Sequence, residues 1–221
     1  MMKKINKKVI FAVIILVIIG VFLKKINSTD KTNNNLTTSD DKKNTQVMSG
    51  TFTDERDQKT YKWVKIGEQI WMGENLSYKP ESGFSSYEKS DDNLDTYGYL
   101  YDWKTAQNIA PEGWHLPSES EWKALMEYLG VHPGSQLKEE GTKHWQTPNA
   151  DATNTSQFNA LPGGGNFDGE YLMMGRKGFF WSSTEINDTD AYALTLENNS
   201  PGISWYSGTK VRELSVRCVK D

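Results

Sequence analysis

Cysteine is nearly absent from these 221 residues: Cys218 is the single one. An intrachain disulfide is therefore excluded, and so is a metal site built on several thiolates. Histidine is scarce too. His115, His132 and His144 show no H-x3-H spacing, which favours one buried and two surface histidines over a zinc site. Catalytic signatures are missing: there is no G-x-S-x-G, no H-E-x-x-H and no cysteine–histidine pair in context. The triple glycine Gly163-Gly164-Gly165 has no following Lys-Ser/Thr, so it does not read as a phosphate loop. Its glycines are expected to allow positive φ or close backbone approach.

The net charge of −4 conceals a split. Before Gly50 there are nine lysines and three aspartates, a balance of +6, with no tyrosine or tryptophan. From Gly50 onward 16 basic residues face 26 acidic ones, a balance of −10. An acidic domain without a basic stripe is a poor partner for nucleic acid, and none is expected. About 170 residues suit one domain with a single core.

Only one long apolar run occurs, Val9 to Leu23, with lysines on both sides. It is short for a membrane helix, which needs about 17–25 residues, but flanking lysines can snorkel and extend its span. No A-x-A-like cleavage site follows, so residues 1–25 read as an uncleaved signal anchor, the alternative being a cleaved signal peptide and a secreted protein. The lysine bias places the domain outside the cytoplasm. Residues 26–49, rich in Asn, Thr, Ser, Asp and Lys, read as a disordered tether. Residues 50–221 form the globular domain.

Within that domain the best-specified stretch is Gly113 to Trp122. Ser118 and Glu121 have the spacing of a capping box, each able to bond the other's backbone N–H. Trp122, Leu125, Met126 and Leu129 then form one apolar helix face, ended by Gly130. Thr60 to Leu76 reads as a hairpin turning at Gly67-Glu68, and Ser77 to Asp95 as a long polar loop. Asp102 caps a short helix expected over Trp103 to Ile109. Pro133 to Thr155 is a polar excursion around Trp145. Strands are expected around 192–196, from 203, and over 214–219, with Cys218 on the apolar side as a core residue. The sum is an α+β domain with antiparallel strands, two short helices and much irregular structure.

Two sets of residues are candidates for ligand contact. Asp91, Asn93 and Asp95 have the spacing that opens a calcium loop, with Asp102 in the twelfth place. Thr96 stands where that loop requires glycine, so a solvated acidic loop is the favoured reading and calcium the alternative. Trp63, Trp103, Trp114, Trp122 and Trp181 lie in patterned segments and are expected to be buried. Trp145 and Trp205, near loops and turns, are the candidates for an exposed sugar- or protein-binding surface.

Several ordered segments carry a family resemblance: Thr53 to Asp57, Tyr61 to Gly67, Trp71-Met72-Gly73-Glu74-Asn75-Leu76, Tyr97-Gly98 through Asp102-Trp103, Pro111 to Trp122, Ala160 to Gly164, Trp181 to Glu185, and Ser215-Val216-Arg217-Cys218-Val219-Lys220-Asp221. Together they resemble the Fibrobacter succinogenes major paralogous domain, over about residues 52–221. The resemblance implies a bacterial, exported protein and a C-type-lectin-like fold similar to that of the formylglycine-generating enzyme. It brings no established activity. That enzyme's copper chemistry needs two cysteines, and one is present. Family members often carry a cysteine where Ala110 stands here, which the resemblance implies would pair with the C-terminal one. A loop of that length closed by a disulfide is worth about 4 kcal/mol in the chain-entropy view. The expected role is a tethered binding module for polysaccharide or a cell-surface protein, without catalysis; a structural or adhesin subunit is the alternative, and an enzyme of the formylglycine-generating type a more distant one.

Overall fold

The computed structural model describes residues 48–221. The apolar run and residues 26–47 of the tether lie outside the described residues. Among the described residues no helix is long and apolar enough to cross a membrane.

Among the described residues thirteen strands run in chain order as β1 (Ser49–Thr53), β2 (Thr60–Ile66), β3 (Gln69–Met72), β4 (Phe84–Ser85), β5 (Leu100–Tyr101), β6 (Trp114–His115), β7 (Gly165–Phe167), β8 (Glu170–Leu172), β9 (Lys177–Glu185), β10 (Asp190–Glu197), β11 (Ser204–Thr209), β12 (Leu214–Ser215) and β13 (Val219–Lys220). The helices are α1 (Asp91–Tyr97), α2 (Trp103–Ala106), α3 (Glu119–Leu129) and α4 (Pro133–Leu137). One sheet has the order β1-β2-β3-β13-β6 and a second β11-β10-β9-β12-β5-β4; β7 and β8 form a separate hairpin. Pairing between the strands is antiparallel except where β12 meets β9 in parallel at Ser215 and Phe180; isolated parallel bridges also join Lys138 to Ala160 and Gly164 to Gly178. The fold is α+β, with few short helices and mostly antiparallel sheets.

The central strands β9 and β10 of the second sheet are largely buried on both faces. One face packs Phe179, Trp181, Ala191 and Ala193 against Tyr61, Met72, Trp114, Val216 and Cys218. The other packs Phe180, Leu194 and Leu196 against Trp122, Leu125, Leu137, Trp145 and Phe158. A sheet buried on both faces has near-continuous apolar strands rather than alternating ones, as Gly178 to Trp181 shows.

Local chemistry sets the elements. The hairpin of β2 and β3 turns at Gly67 (φ +62°), where a side chain would also strike the Tyr128 ring. The capping box is present as expected, and α3 buries Trp122 and Leu125 before ending at Gly130, whose N–H bonds the Met126 carbonyl. Asp102 caps α2 through the Thr105 N–H at 2.7 Å, but the helix stops at Ala106, earlier than expected. Pro111 lies close downstream, and the chain there turns back with Asn108 bonding the Thr105 carbonyl.

Other expectations are corrected. Ser49, expected to end the tether, instead opens β1 and pairs with Val64 of β2. The segment read as a loop from Ser77 to Asp95 contains β4, a 3-10 turn (Tyr87–Lys89) and the start of α1. Trp145 is not exposed: it is 1 % accessible and donates its indole N–H to the Ala160 carbonyl at 3.0 Å. Of the five tryptophans expected in the core, Trp114, Trp122 and Trp181 are buried while Trp63 and Trp103 are only half-buried. The final strand is split: Leu214-Ser215 belongs to one sheet and Val219-Lys220 to the other, with everything from Leu214 to Val219 buried. Cys218 is a free, buried thiol, in the same core against which Ala110 packs. The triple glycine does supply close approach, since a Cβ on Gly164 would meet the Leu172 carbonyl at 2.3 Å.

Candidate functional site

A groove of about 460 Å³ opens on the second sheet, over β9, β10 and β11 and beside the β7–β8 hairpin. Register places its side chains. Phe179 lies opposite Thr195, and Thr195 opposite Ser204; Lys177 lies opposite Glu197. Opposed residues share a sheet face, so these side chains form one floor, extended by Tyr206, the partner of Ala193. Phe167 from β7 closes one wall, its ring 5.5 Å from Phe179 and 6.4 Å from Tyr206. Leu172, 40 % exposed, stands on the rim.

The polar groups of the groove are sparse and specific. Lys177 and Glu197 pair at 2.7 Å. Arg212 lies 5.3 Å over the Phe167 ring and donates from Nη1 to the Tyr206 hydroxyl. Its Nε is buried without a hydrogen-bond partner among the described residues, as is the Thr195 hydroxyl, on a residue only 3 % exposed. Buried polar groups are nearly always satisfied, and here two unsatisfied ones border the same groove.

Trp205 borders this groove, but its ring does not serve it. Its register partner is Leu194, and it packs edge-on against Tyr192 at 5.7 Å, on the opposite sheet face. Trp145, the other expected surface tryptophan, is core. Sequence reasoning missed Thr195 and Arg212, since neither sits in a motif.

Asp91, Asn93 and Asp95 are on α1 rather than in a loop. Ser90 caps the helix and Asp91 and Asp92 fill its first turn, both of which favour a helix start. Asp91 and Asp95 then share a face while Asn93 lies round the helix and donates to the Tyr87 carbonyl at 3.1 Å. The convergence of a calcium loop is lost. Among the described residues no group of three or more His, Cys, Asp and Glu side chains is placed to hold a metal ion.

Asp95 does border a second, polar cavity of about 340 Å³, with Glu74, Asn75, Lys143, His144 and Arg217. Its floor is the guanidinium of Arg217, which donates from Nε and Nη2 to the Asn75 side-chain oxygen (3.1 and 2.6 Å) and from Nη1 to the carbonyls of Met72 (3.2 Å) and Phe158. Burial pushes this guanidinium down to about 9. The neighbouring Cys218 thiol is pushed up to about 12, again by burial, so it is no nucleophile near neutral pH.

Ser118, Glu121 and Trp122 have structural roles. Trp122 is fully buried, 4.6 Å from Trp71 between ring centres. Glu121 also bonds His115 at 2.6 Å, and His115 reaches Asp221 at 2.6 Å on its other nitrogen.

Two sheets, short helices and long loops, with an aromatic groove and a polar cavity on the surface, define a loop-rich α+β domain. Residues 64–220 match the Fibrobacter succinogenes major domain, and the chain belongs to that family. No curated protein and no solved structure matches it.

Proposed function

We propose that the protein is a non-catalytic, membrane-tethered binding module that holds a polysaccharide in the groove over β9, β10 and β11, outside the cytoplasm. The observation that carries this reading is the pairing of aromatic walls (Phe167, Phe179, Tyr206) with two buried polar atoms, Thr195 Oγ1 and Arg212 Nε, that have no hydrogen-bond partner among the described residues, Arg212 Nε only facing the Asp168 carboxylate at 4.0 Å. Ligand sites combine apolar surface with a few converging polar groups, and a sugar offers both C–H faces and hydroxyls. The lysine-flanked apolar run supports the tether. The C-type-lectin-like assignment draws support from the first and last strands, β1 and β13, sharing one sheet, and from the long irregular loops.

The test is a binding screen of the full chain against plant and bacterial polysaccharides, with Thr195→Val, Arg212→Ala and Trp205→Ala. Thr195→Val removes an unpartnered hydroxyl and keeps shape, so stability stays level or rises while affinity falls at least about fivefold. Trp205→Ala leaves affinity unchanged because its ring is on the other face. A folded sample that binds no polysaccharide, or binding insensitive to Thr195 and Arg212, would sink the reading.

A further inference from the structure

The polar cavity floored by Arg217 has an unbalanced charge. Arg217 is 1 % exposed, and among the described residues no carboxylate lies within ion-pair distance of it, Glu74 acting only as a more distant counter-charge. A guanidinium carries five N–H donors. Four hydrogen bonds are made, all to uncharged acceptors, which leaves one Nη2 N–H free. The rings of Phe158 and Phe180, at 4.4 and 5.7 Å, take part of the charge. A buried cation without a contacting counter-ion is costly, and an anion in the cavity would relieve it.

The rest of the lining agrees with that. Lys59 and Lys143 are exposed cations at the mouth. His144 holds Glu139 with Nδ1 at 2.8 Å, so its Nε2 remains for a ligand. Of the two bordering carboxylates, Glu74 already accepts from the Lys62 backbone N–H at 3.0 Å and faces its ammonium at 3.6 Å. Asp95 is exposed on α1. Thr60, Thr96 and Asn159 add uncharged donors and acceptors.

We propose that this cavity binds a hydroxylated organic acid of sugar-acid size, its carboxylate toward Arg217 and Lys143 and its hydroxyls toward Asp95, Glu74 and Asn159. The site is separate from the groove on β9 to β11 and stands or falls independently of it. The acid can come as a free monomer or as the end of an acidic polysaccharide; the recognising chemistry is the same.

The experiment is calorimetric titration of the full chain in detergent, at low ionic strength, with glucuronate, oligogalacturonate, glucose and acetate. Wild type, Lys143→Glu and Thr195→Val are compared. Lys143 is exposed, so its substitution leaves the melting temperature in place; Thr195→Val reports on the groove alone. Glucuronate should saturate one site, with glucose and acetate at least about tenfold weaker. Lys143→Glu should weaken glucuronate about tenfold while Thr195→Val leaves it unchanged. Tighter binding of the oligomer assigns a polysaccharide end as the source, and equal affinity assigns the free acid. Absence of heat, equal binding of glucose or acetate, or indifference to Lys143→Glu overturns the proposal.

Discussion

His115 is held between two carboxylates, Glu121 on one ring nitrogen and Asp221 on the other, each at 2.6 Å. Burial alone would lower its pKa, but the hydrogen bonds it donates to the Asp221 and Glu121 carboxylates outweigh it and raise the value above 6.5. A histidine raised in the folded state contributes stability that is full below its ordinary value and lost as pH rises through the folded one. Glu121 runs the other way. Burial raises it, while bonds from the Ser118 backbone, the Ser118 hydroxyl and His115 together lower it below 4.5. Its contribution is present above its ordinary value and lost as pH falls through the folded one. The cluster is therefore strongest between these two ordinary values, and His115→Gln should flatten the decline on the alkaline side. Urea midpoints from pH 5 to 8 check this; parallel curves for the two proteins would contradict it. Other single residues carry weight that composition hides. Lys138 is fully buried and donates to the carbonyls of Ala150, Glu197 and Ser200 at 2.9–3.1 Å. It holds in place the polar excursion that the sequence presents as a simple loop.

The elements differ in how local their causes are. Helix α3 is local: its cap, its apolar face and its terminal glycine all lie within thirteen residues, from Ser118 to Gly130. Ser118→Ala should cost about 1 kcal/mol by loss of the cap, read as a lower urea midpoint with an unchanged slope; a shift of a few tenths or less would show that packing of Trp122 holds the helix without the cap. The hairpin of β2 and β3 is equally local. Helix α1 was hidden because Asp91, Asn93 and Asp95 satisfy a loop spacing and a helix start at once, and Ser90 decides for the helix. The groove was hidden for a different reason: it joins β7, β9, β10 and β11 with Arg212, through pairings of side chains far apart in the chain.

At the scale of the described domain, the last eight residues join its two larger sheets. Val216 and Cys218 accept backbone bonds from Leu76 and Met72, Arg217 ties Asn75 to Phe158, and β12 and β13 enter different sheets. Deleting residues 216–221 should abolish the cooperative unfolding transition, followed by near-ultraviolet circular dichroism; a sharp transition in the truncated chain would show that the two sheets hold without this segment. By itself the sequence determined the α+β class, the family, the β2–β3 hairpin, the capped α3 helix and the buried, unpaired state of Cys218, because each depends on patterns and counts within short reach. Only the tertiary structure decided that Trp145 is core, that Trp205 turns away from the groove, and that Thr195, Arg212 and Arg217 border cavities. Those outcomes depend on strand register and on segments up to 145 residues apart, and register sets which face a side chain occupies without leaving any mark in the local pattern.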